Sequence, residues 1–348
     1  PSLTTPDAIE INDYLSKMEK AGMKSVSMEV SSHGLALRRT EGLDFDVAIF
    51  TNFSWDHLDF HKTMEAYFEA KKSLFTGLKP EATAILNLDD DSFEKLKEAC
   101  KCKVLSYGVN AEADYCIKDL YMSASGSEFD LILSEKACGK PKGESYHIRT
   151  NITAAYNISN LTAAIAGLHC QDFDMEKLIE ACVDVKQVDG RMERVQNELG
   201  IDLIIDYAHT PDGFDKIFEF ARSVKNPDGR LYAVFGSAGK RDKEKRHVLG
   251  RIASVNCDYI ILTEEDPRDE AACDIANQIA LEIPKESYEF IDNRYEAISK
   301  AIAMAKAGDM VLVLGKGDER YLERSKGKES WMGDEKAAAE IAAKIARV

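Results

Sequence analysis

The sequence predicts an α/β protein built from two doubly wound domains. Short apolar runs alternate with amphipathic segments of helical length along both halves of the chain, which is the pattern of parallel strands covered by helices. Most of these runs end in Gly, Asp, Glu or small polar residues. The 348 residues are enough for two domains, which we predict to be residues 1–188 and 189–348.

The first domain should begin with a helix over residues 6–21, with Thr5 as its N-cap and Pro6 at the first helical position. The elements predicted next are a buried strand, a second strand, a helix and a third strand, over residues 25–32, 45–52, 64–76 and 82–92. Short alternating segments between 103 and 149 then indicate antiparallel strands at one edge of the sheet. Residues 151–170 are predicted to form a long helix.

Residues 184–195 are interpreted as a connector. The second domain then contains four apolar strands, mostly separated by amphipathic helices. They lie in the stretches IDLIIDYA, RLYAVFGSAG, CDYIILTEED and DMVLVLGKG. Because ligands bind at the carboxyl ends of the strands in such sheets, the residues that follow these strands are the first candidates for a site.

Composition argues against several classes of function. The formal net charge is −16, which is unlike a nucleic-acid-binding surface. No apolar run approaches the length of a membrane span, and no signal peptide is recognisable. The eight cysteines are scattered without a CxxC pair, so we expect reduced thiols and a cytoplasmic protein. The chain starts at Pro1 without Met, and we interpret it as part of a longer protein.

Carboxylate and imidazole groups follow the second predicted strand in the stretch FTNFSWDHLDFH. Glu29 and His57 offer an oxygen and a nitrogen that suit Mg²⁺ or Mn²⁺. Lys71, on the next helix, could complete a cation site as a carbamate, because a lysine amine that burial keeps neutral can react with CO₂. The alternative is a polar capping loop before a helix with solvated lysines.

The strand ends of the second domain are open to two interpretations in the same way. The Gly-rich turns in VFGSAGKRDKEKR and LVLGKGDERY could bind anions or simply connect a strand to a helix. In EEDPRDE the guanidinium of Arg268 could hold a carboxylate, or the acids could cap a helix. Asp206, in IIDYAHTPDG, could bind a ribose or act as a cap.

Together these segments resemble one family, the ATP-dependent Mur ligases, and within it the MurE type. The resemblance lies in TTPD, MEVSSHGL, FTNFSWDHLDFH, YFEAKKSLF, YNISNLTAA, GRMERV, DYAHTPD, FGSAGKRDKEKR, EDPR and GKGDE. These blocks follow one another at family-like spacing over essentially the whole chain. The resemblance implies a central, ATPase-like domain followed by a Rossmann-like C-terminal domain.

The resemblance also implies roles for individual residues. The catalytic set around Mg²⁺, beside the ATP phosphates, would be Glu29, His57 and carbamylated Lys71. Asn157 and Asn160 would contact the adenine of ATP, Arg191 would contact its phosphates, and Asp206 would contact its ribose. The UDP-sugar substrate would be contacted by Thr4, Thr5, Ser31 and Arg39. The incoming amino acid would be contacted by Arg241, Asp266, Arg268, Gly315 and Glu319.

The chemistry implied by the resemblance is the formation of an amide bond in peptidoglycan synthesis. The γ-carboxylate of UDP-N-acetylmuramoyl-L-alanyl-D-glutamate is activated as an acyl phosphate at the expense of ATP, and the amine of a diamino acid then displaces phosphate. Activation is needed because a carboxylate is a poor electrophile, and Mg²⁺ and cationic side chains offset the charge on the transferring group. We expect a cytoplasmic monomer.

Two features depart from the family pattern. The N-terminal uridine-binding domain and the P-loop, GxxGKT/S, do not occur in these residues, so we expect this chain alone to bind ATP weakly and not to ligate. EDPR also replaces the DNPR that is typical of diaminopimelate-adding members. Arg268 keeps the guanidinium that holds a carboxylate, whereas Asp266 replaces an amide with an anion, which favours the distal ammonium of lysine. Both meso-diaminopimelate and L-lysine therefore stay open.

Two other functions stay open as well. One is another Mur-type ligase, either folylpolyglutamate synthase-like or a MurE paralogue with a different amino acid; DYAHTPD and EDPR favour the MurE type instead. The other is a non-catalytic binding module that retains the fold. The absence of a P-loop favours such a module, and the set of Glu29, His57 and Lys71 speaks against it.

Overall fold

A computed structural model of the protein describes residues 3–123, 126–141 and 143–347. These residues form two compact units. Unit 1 comprises 3–120, 128–141, 143–149 and 159–182, and unit 2 comprises 121–123, 126–127, 150–158 and 183–347. The predicted boundary near residue 188 stays a prediction. Within the described ranges, no helix is long and apolar enough to cross a membrane.

Unit 1 is organised by a six-stranded sheet whose spatial order follows the chain order. Its strands are β1 (Val47–Phe50), β2 (Thr83–Asn87), β3 (Lys103–Gly108), β4 (Tyr115–Ser123), β5 (Gly126–Leu133) and β6 (Glu144–Thr150). The helices in this part of the chain are α1 (Ala8–Lys20), α2 (Ser32–Ala36), α3 (Leu58–His61), α4 (Met64–Thr76), α5 (Phe93–Ala99), α6 (Glu135–Cys138), α7 (Ala155–His169) and α8 (Met175–Cys182).

The α/β class is confirmed, and so is the β-α-β pattern predicted between residues 45 and 92. Strands β1 and β2 pair in parallel. Helix α4 begins where the Thr63 hydroxyl accepts a hydrogen bond from the Ala66 amide, and it buries Tyr67 and Phe75. Phe75 packs into the same apolar cluster as Leu86 of β2, which fixes the helix that carries Lys71 against the sheet.

The strand predicted over residues 25–32 is wrong. Residues 23–31 form neither strand nor helix, and Val26 is 46% exposed. A strand needs a neighbour for its backbone groups, and among the described residues no strand pairs with this stretch. Thr5 forms hydrogen bonds with two of the backbone groups of this stretch instead. Its hydroxyl donates to the Glu29 carbonyl (3.0 Å) and accepts from the Ser31 amide (2.8 Å).

The predicted start of α1 is wrong for the same reason. The Thr5 hydroxyl is engaged by residues 29–31 and does not cap the helix. Asp7 is the N-cap, and its carboxylate accepts hydrogen bonds from the amides of Ile9 and Glu10, both at 3.0 Å. Pro6 precedes this cap rather than occupying the first helical position.

The edge strands predicted between residues 103 and 149 are present as β3 to β6. The prediction that they are antiparallel is wrong for β3. This strand runs parallel to β2 and to β4. Helix α5 lies between β2 and β3 in the chain and supplies the crossover that a parallel pair requires. β5 alternates half-buried and buried residues, as the sequence pattern indicates.

Unit 2 contains a second six-stranded sheet. In chain order its strands are β7 (Glu193–Arg194), β8 (Asp202–Asp206), β9 (Leu231–Phe235), β10 (Tyr259–Leu262), β11 (Tyr288–Phe290) and β12 (Met310–Leu314). Their spatial order is β11-β10-β9-β12-β8-β7. The helices are α9 (Pro211–Val224), α10 (Glu244–Asn256), α11 (Ala272–Ile279), α12 (Arg294–Met304) and α13 (Asp334–Ile345). A separate antiparallel pair consists of β13 (Tyr321–Arg324) and β14 (Gly327–Ser330).

The four strands predicted for the second domain are confirmed as β8, β9, β10 and β12, which pair in parallel. Residues 184–195 are not entirely a connector, because β7 pairs antiparallel with β8. β7 has two residues, too few to show an alternating pattern in the sequence. The sequence analysis also did not predict β11, β13 and β14.

The central strand β12 is buried on both faces. Leu312 packs with Phe214 in one apolar cluster, and Val313 packs with Ile298 and Ile341 in another. Successive side chains of a strand point to opposite faces of the sheet, so the helices that bury them lie on both sides. The loops that follow the strands are consequently left together at the carboxyl edge.

Arg246 of α10 connects two of these loops and is 0% exposed. Its Nη1 donates to Oε2 of Glu270 (2.9 Å), and its Nη2 donates to the Ala238 carbonyl (3.0 Å). Glu270 also accepts a hydrogen bond from the Lys240 amide (2.5 Å). The pair of buried Arg246 and half-buried Glu270 therefore joins the turn after β9 to the loop after β10.

Glu270→Gln should make unit 2 less stable and its stability less dependent on pH. The hydrogen bond from Arg246 lowers the pKa of Glu270 to about 2. A carboxylate whose pKa is lower in the folded protein stabilises the fold above its unfolded pKa of about 4.3, and this contribution is lost as the pH falls toward 2. We expect a loss of about 2 kcal/mol at neutral pH, less than the full pKa shift implies because water reaches part of the carboxylate.

Urea unfolding at neutral pH and near pH 3 measures this effect, with Trp331 as the fluorescent probe in a Trp55→Phe background. Asp269→Asn is the matched control, because Asp269 is the neighbour of Glu270 on the loop after β10 and pairs with the exposed Lys240 of the turn after β9, so it should contribute less. A free energy of unfolding with the same pH dependence in Glu270→Gln and the parent protein would contradict the prediction.

Candidate functional site

Lys71 lies half-buried on α4, with its ammonium 5.3 Å from the centre of the Tyr67 ring. Burial lowers the pKa of Lys71, although the negative charges of Asp56, Glu29 and Asp90 act in the opposite direction. Glu29, which belongs to the predicted catalytic set, is therefore close enough to influence the charge of Lys71. A lowered pKa increases the fraction of neutral amine, which is the form that reacts with CO₂.

His57, the third member of the predicted set, precedes α3 with a left-handed backbone (φ 57°). Its amide donates to Oδ1 of Asp56 (2.7 Å), and its Nε2 lies 3.5 Å from Oδ2 of the same carboxylate. The imidazole also lies edge-on to the rings of His33 (5.0 Å between centroids) and Tyr67 (5.6 Å). Asp56 is thus a neighbour of both His57 and Lys71.

Metal binding at this place depends on the chemical state of Lys71. In the part of the chain that the structure describes, no three or more His, Cys, Asp or Glu side chains are placed to hold a metal ion. Glu29 and His57 are two side chains of the ligating type, and a carbamate on Lys71 would add a third. Carboxylate oxygens suit Mg²⁺, so these residues fit the ion once Lys71 carries the modification.

Sequence reasoning assigned no role to Asp56 or Asp90, although both act on Lys71. Asp90 follows β2, and its carboxylate accepts hydrogen bonds from the amides of Phe53 (2.7 Å) and Ser92 (2.8 Å). The position of Asp90 just after a strand was a usable signal, because ligands and their partners collect at this edge. Asp56 directly precedes His57 and was recognisable only as part of an acidic and imidazole-rich stretch.

The structure brings together three of the four residues predicted for the UDP-sugar. Thr5 is buried, its hydroxyl accepts from the Ser31 amide (2.8 Å), and its carbonyl accepts from Nη1 of Arg39 (2.9 Å). Gly34 makes this approach possible, because a Cβ there would lie 2.9 Å from the Thr5 side chain. Thr4 is adjacent and exposed. The buried Thr5 hydroxyl is thus engaged both as donor and as acceptor, which counts against its direct contact with a ligand. A guanidinium such as that of the half-buried Arg39 can bind phosphate or carboxylate.

The residues predicted to contact adenine and phosphates are at least partly accessible. Asn157 and Asn160 are separated by less than one turn of α7, so they lie on neighbouring positions of one helix face. The side-chain Nδ2 of Asn157 donates to the Thr153 carbonyl (3.1 Å), and Asn160 is exposed. Arg191 is also exposed, and its guanidinium lies 4.3 Å from the centre of the Tyr207 ring.

Asp206, predicted to contact the ribose, is buried at the end of β8. Its carboxylate accepts hydrogen bonds from the amides of Met192 (2.8 Å) and Ala208 (2.7 Å) and from the hydroxyl of Tyr156 (3.2 Å). Burial raises the pKa of Asp206. This environment favours the alternative role of Asp206 as a cap and counts against direct contact with a ribose.

Asp266 and Glu319, predicted for the amino-acid pocket, meet at a lysine that the sequence analysis did not single out. Lys316 is 0% exposed, and its ammonium lies 2.7 Å from Oδ1 of Asp266 and 2.5 Å from Oε2 of Glu319. Asp266 is therefore not an isolated anion. Nearby, Nη1 of Arg268 donates to the Gly239 carbonyl (2.8 Å), so the loops after β9, β10 and β12 contribute to one cluster.

Gly315, also predicted for this pocket, has a left-handed backbone (φ 102°), and a Cβ there would lie 2.4 Å from Oε2 of Glu265. Only glycine suits both constraints. Glu265 is 7% exposed, and burial raises its pKa although Lys245 and Arg294 act in the opposite direction. Arg241, the remaining predicted residue, is exposed in the turn after β9. The side chains at these strand ends thus include both acidic and basic groups, which is the combination that a zwitterionic ligand requires.

Two family models match the chain. The model described as the Mur ligase middle domain matches residues 1–168. The model described as the Mur ligase, glutamate ligase domain matches residues 190–317. The predicted resemblance is therefore confirmed over most of the sequence.

Individual relatives lead to the same family. A UDP-N-acetylmuramoyl-L-alanyl-D-glutamate–2,6-diaminopimelate ligase of Clostridium acetobutylicum is 37% identical over 320 residues, which are 91% of this chain and 64% of the relative. The corresponding L-lysine ligase of Staphylococcus aureus is 37% identical over 322 residues, or 91% of this chain and 63% of the relative. The chain thus spans less than two thirds of either relative.

A solved structure of a diaminopimelate ligase with the same name extends the comparison to the fold. It is 31% identical, with a TM-score of 0.64, and the match covers 99% of this chain and 69% of the other. The two family models, the relatives and this solved structure together show that the chain belongs to the Mur ligase family.

Proposed function

We propose that the protein is an ATP-dependent, ADP-forming ligase that joins a diamino acid to UDP-N-acetylmuramoyl-L-alanyl-D-glutamate in the cytoplasmic synthesis of peptidoglycan. The observation that carries this proposal is the cluster of Asp266, Lys316 and Glu319 beside Arg268. It offers both signs of charge at the strand ends where such a substrate would bind. The names of the diaminopimelate-adding and lysine-adding relatives support the same reaction.

The charges of the pocket bear on the choice of diamino acid. Asp266 and Glu319 carry two negative charges against the one positive charge of Lys316, so this trio has a net charge of minus one before the positive charge of Arg268 beside it is counted. That residual charge favours a substrate with a distal ammonium, such as L-lysine. Arg268 uses Nη1 for its bond to Gly239, and its other N–H groups would bind a carboxylate, which both lysine and meso-diaminopimelate possess.

In unit 1, we propose that Lys71 is carbamylated and binds Mg²⁺ with Glu29 and His57. The ion would offset negative charge on the phosphoryl group during activation of the substrate carboxylate. The burial that lowers the pKa of Lys71 supports its modification. Asp56 would keep the His57 side chain in place through the contacts to its amide and ring.

The remaining contacts are proposed for the two nucleotides. Arg191 would bind the ATP phosphates, with Asn157 and Asn160 by the adenine. The bond from the Met192 amide to Asp206 would position Arg191 next to it, and direct contact of Asp206 with the ribose stays a prediction. The UDP-sugar would be contacted by Thr4, Thr5, Ser31 and Arg39.

Phosphate release tests the proposed reaction. The assay contains UDP-N-acetylmuramoyl-L-alanyl-D-glutamate, ATP, Mg²⁺ and either meso-diaminopimelate or L-lysine. It is carried out with the complete gene product and, in parallel, with the 348-residue chain. We expect phosphate release that depends on the diamino acid. Release that is the same without any amino acid would contradict the proposed ligation. No release with either amino acid would contradict it as well and would favour a binding module.

Carbamylation should be specific to Lys71. With [¹³C]bicarbonate, we expect one carbamate signal in the ¹³C NMR spectrum that is lost in Lys71→Arg and kept in Lys72→Arg. Lys72 is the matched control, because it is the next residue on α4 and its ammonium pairs with Glu69 (2.5 Å). The signal should weaken as the pH falls, since only the neutral amine forms a carbamate. A spectrum that is unchanged in Lys71→Arg would contradict this prediction.

Asp266→Asn should shift the amino-acid preference toward meso-diaminopimelate. The substitution removes one negative charge from the pair with Lys316 and leaves an oxygen that can still accept from the Glu323 amide (3.0 Å in the parent). We expect the ratio of kcat/KM for meso-diaminopimelate to that for L-lysine to rise about tenfold, equivalent to about 1.4 kcal/mol. Asp269→Asn controls for a general change in charge. An unaltered ratio in Asp266→Asn would disprove the role of Asp266 in selectivity.

A further inference from the structure

Arg294 opens helix α12 and is fully buried together with Asp334, the first residue of α13. Its Nε lies 2.8 Å from Oδ1 of Asp334, and its Nη2 lies 2.6 Å from Oδ2. Two parallel hydrogen bonds of this kind fix the plane of the guanidinium. The indole of Trp331 also donates to Asp334 (3.1 Å), so the carboxylate itself is held in place.

The other donors of Arg294 bind the backbone at the beginning of two pocket loops. Nη1 donates to the Glu264 carbonyl (3.1 Å), and Nη2 donates to the Leu314 carbonyl (2.8 Å). Glu264 belongs to the loop after β10, and Leu314 is the last residue of β12. β9 lies between these strands in the sheet, so no ladder of hydrogen bonds joins β10 to β12 directly.

The residues proposed to bind the amino acid follow these two carbonyls closely. Asp266 and Arg268 come just after Glu264, and Gly315 and Glu319 come just after Leu314. We propose that Arg294, oriented by Asp334, is a positioning residue that sets the distance between these two loops and thereby the shape of the amino-acid pocket. This inference rests on the function proposed for that pocket.

A purely structural role for the pair would have different consequences. A buried ion pair can often be replaced by apolar side chains without loss of stability, so stability alone does not explain its presence. Arg294→Lys keeps the positive charge for Asp334, but one ammonium cannot reproduce the planar fork that reaches both carbonyls. The loops should then lose their fixed spacing while the charge of the core is preserved.

The kinetic test uses the complete gene product. In Arg294→Lys we expect the KM for the diamino acid to rise about tenfold or more, whereas the KM values for ATP and for the UDP-sugar substrate stay within about twofold. Arg222→Lys is the matched control, because Arg222 is an exposed arginine of unit 2 that donates to Asn256 (2.6 Å). A lower melting temperature and active fraction with an unchanged KM for the diamino acid would overturn the inference.

Amide hydrogen exchange of the 348-residue chain gives a readout that does not depend on turnover. Protection should fall in residues 264–268 and 315–319 of Arg294→Lys and stay unchanged in Arg222→Lys. If Arg294→Lys does not fold, the double variant Arg294→Met with Asp334→Leu replaces the pair by apolar side chains, and the same two segments should lose protection. Unchanged protection in a folded variant would overturn the inference, even if the proposed reaction itself is not observed.

Discussion

Two buried guanidinium groups hold the strand-end loops of unit 2 in place. Arg246 joins the turn after β9 to the loop after β10, and Arg294 joins the loop after β10 to the end of β12. Parallel strands deliver these loops to one edge of the sheet, but the hydrogen bonds of the sheet stop where the strands stop. The arginines continue the connection into the loops, and the positions of the pocket side chains depend on them.

The charges in the pocket cannot be assigned one residue at a time. Lys316 lies 50 positions from Asp266 in the sequence and pairs with it and with Glu319 at the centre of the cluster. Glu265, next to Gly315, is buried, and its pKa is raised. A change from an amide to a carboxylate at position 266 therefore acts on a group of coupled charges. If the proposed function is correct, an electrostatic preference for one amino acid would be a property of this group rather than of the EDPR motif alone.

The sequence predicted the elements that have strong local patterns. Helix α4 and the four parallel strands of unit 2 have apolar runs or periodicity that local side chains determine, and they are found where expected. Residues 25–32 also have a strand-like pattern, but a strand additionally needs a backbone partner, which the pattern of one segment does not reveal. Thr5 illustrates the same limit, because its hydroxyl serves residues 29–31 instead of the helix that follows it.

The residues of the candidate site also fall into two classes, those that local motifs identify and those whose role depends on the tertiary structure. Motifs identified Lys71, Asp266 and Arg268, whose positions after strands or on the next helix are visible locally. A motif also identified Glu29, although the strand predicted around it is not present. Lys316 lies within a recognised motif, yet its burial between two carboxylates is a tertiary feature. Charged residues are commonly exposed, so a helix-starting arginine such as Arg294 gives no sequence signal for a buried role.

NMR titration of the ¹⁵N-labelled chain with meso-diaminopimelate and with L-lysine tests most directly whether the loops after β9, β10 and β12 form one amino-acid pocket. For at least one diamino acid, we predict that amides in residues 239–241, 266–268 and 315–319 shift together with a single dissociation constant. Shifts confined to other parts of the chain, or different dissociation constants for the three loops, would contradict a common pocket.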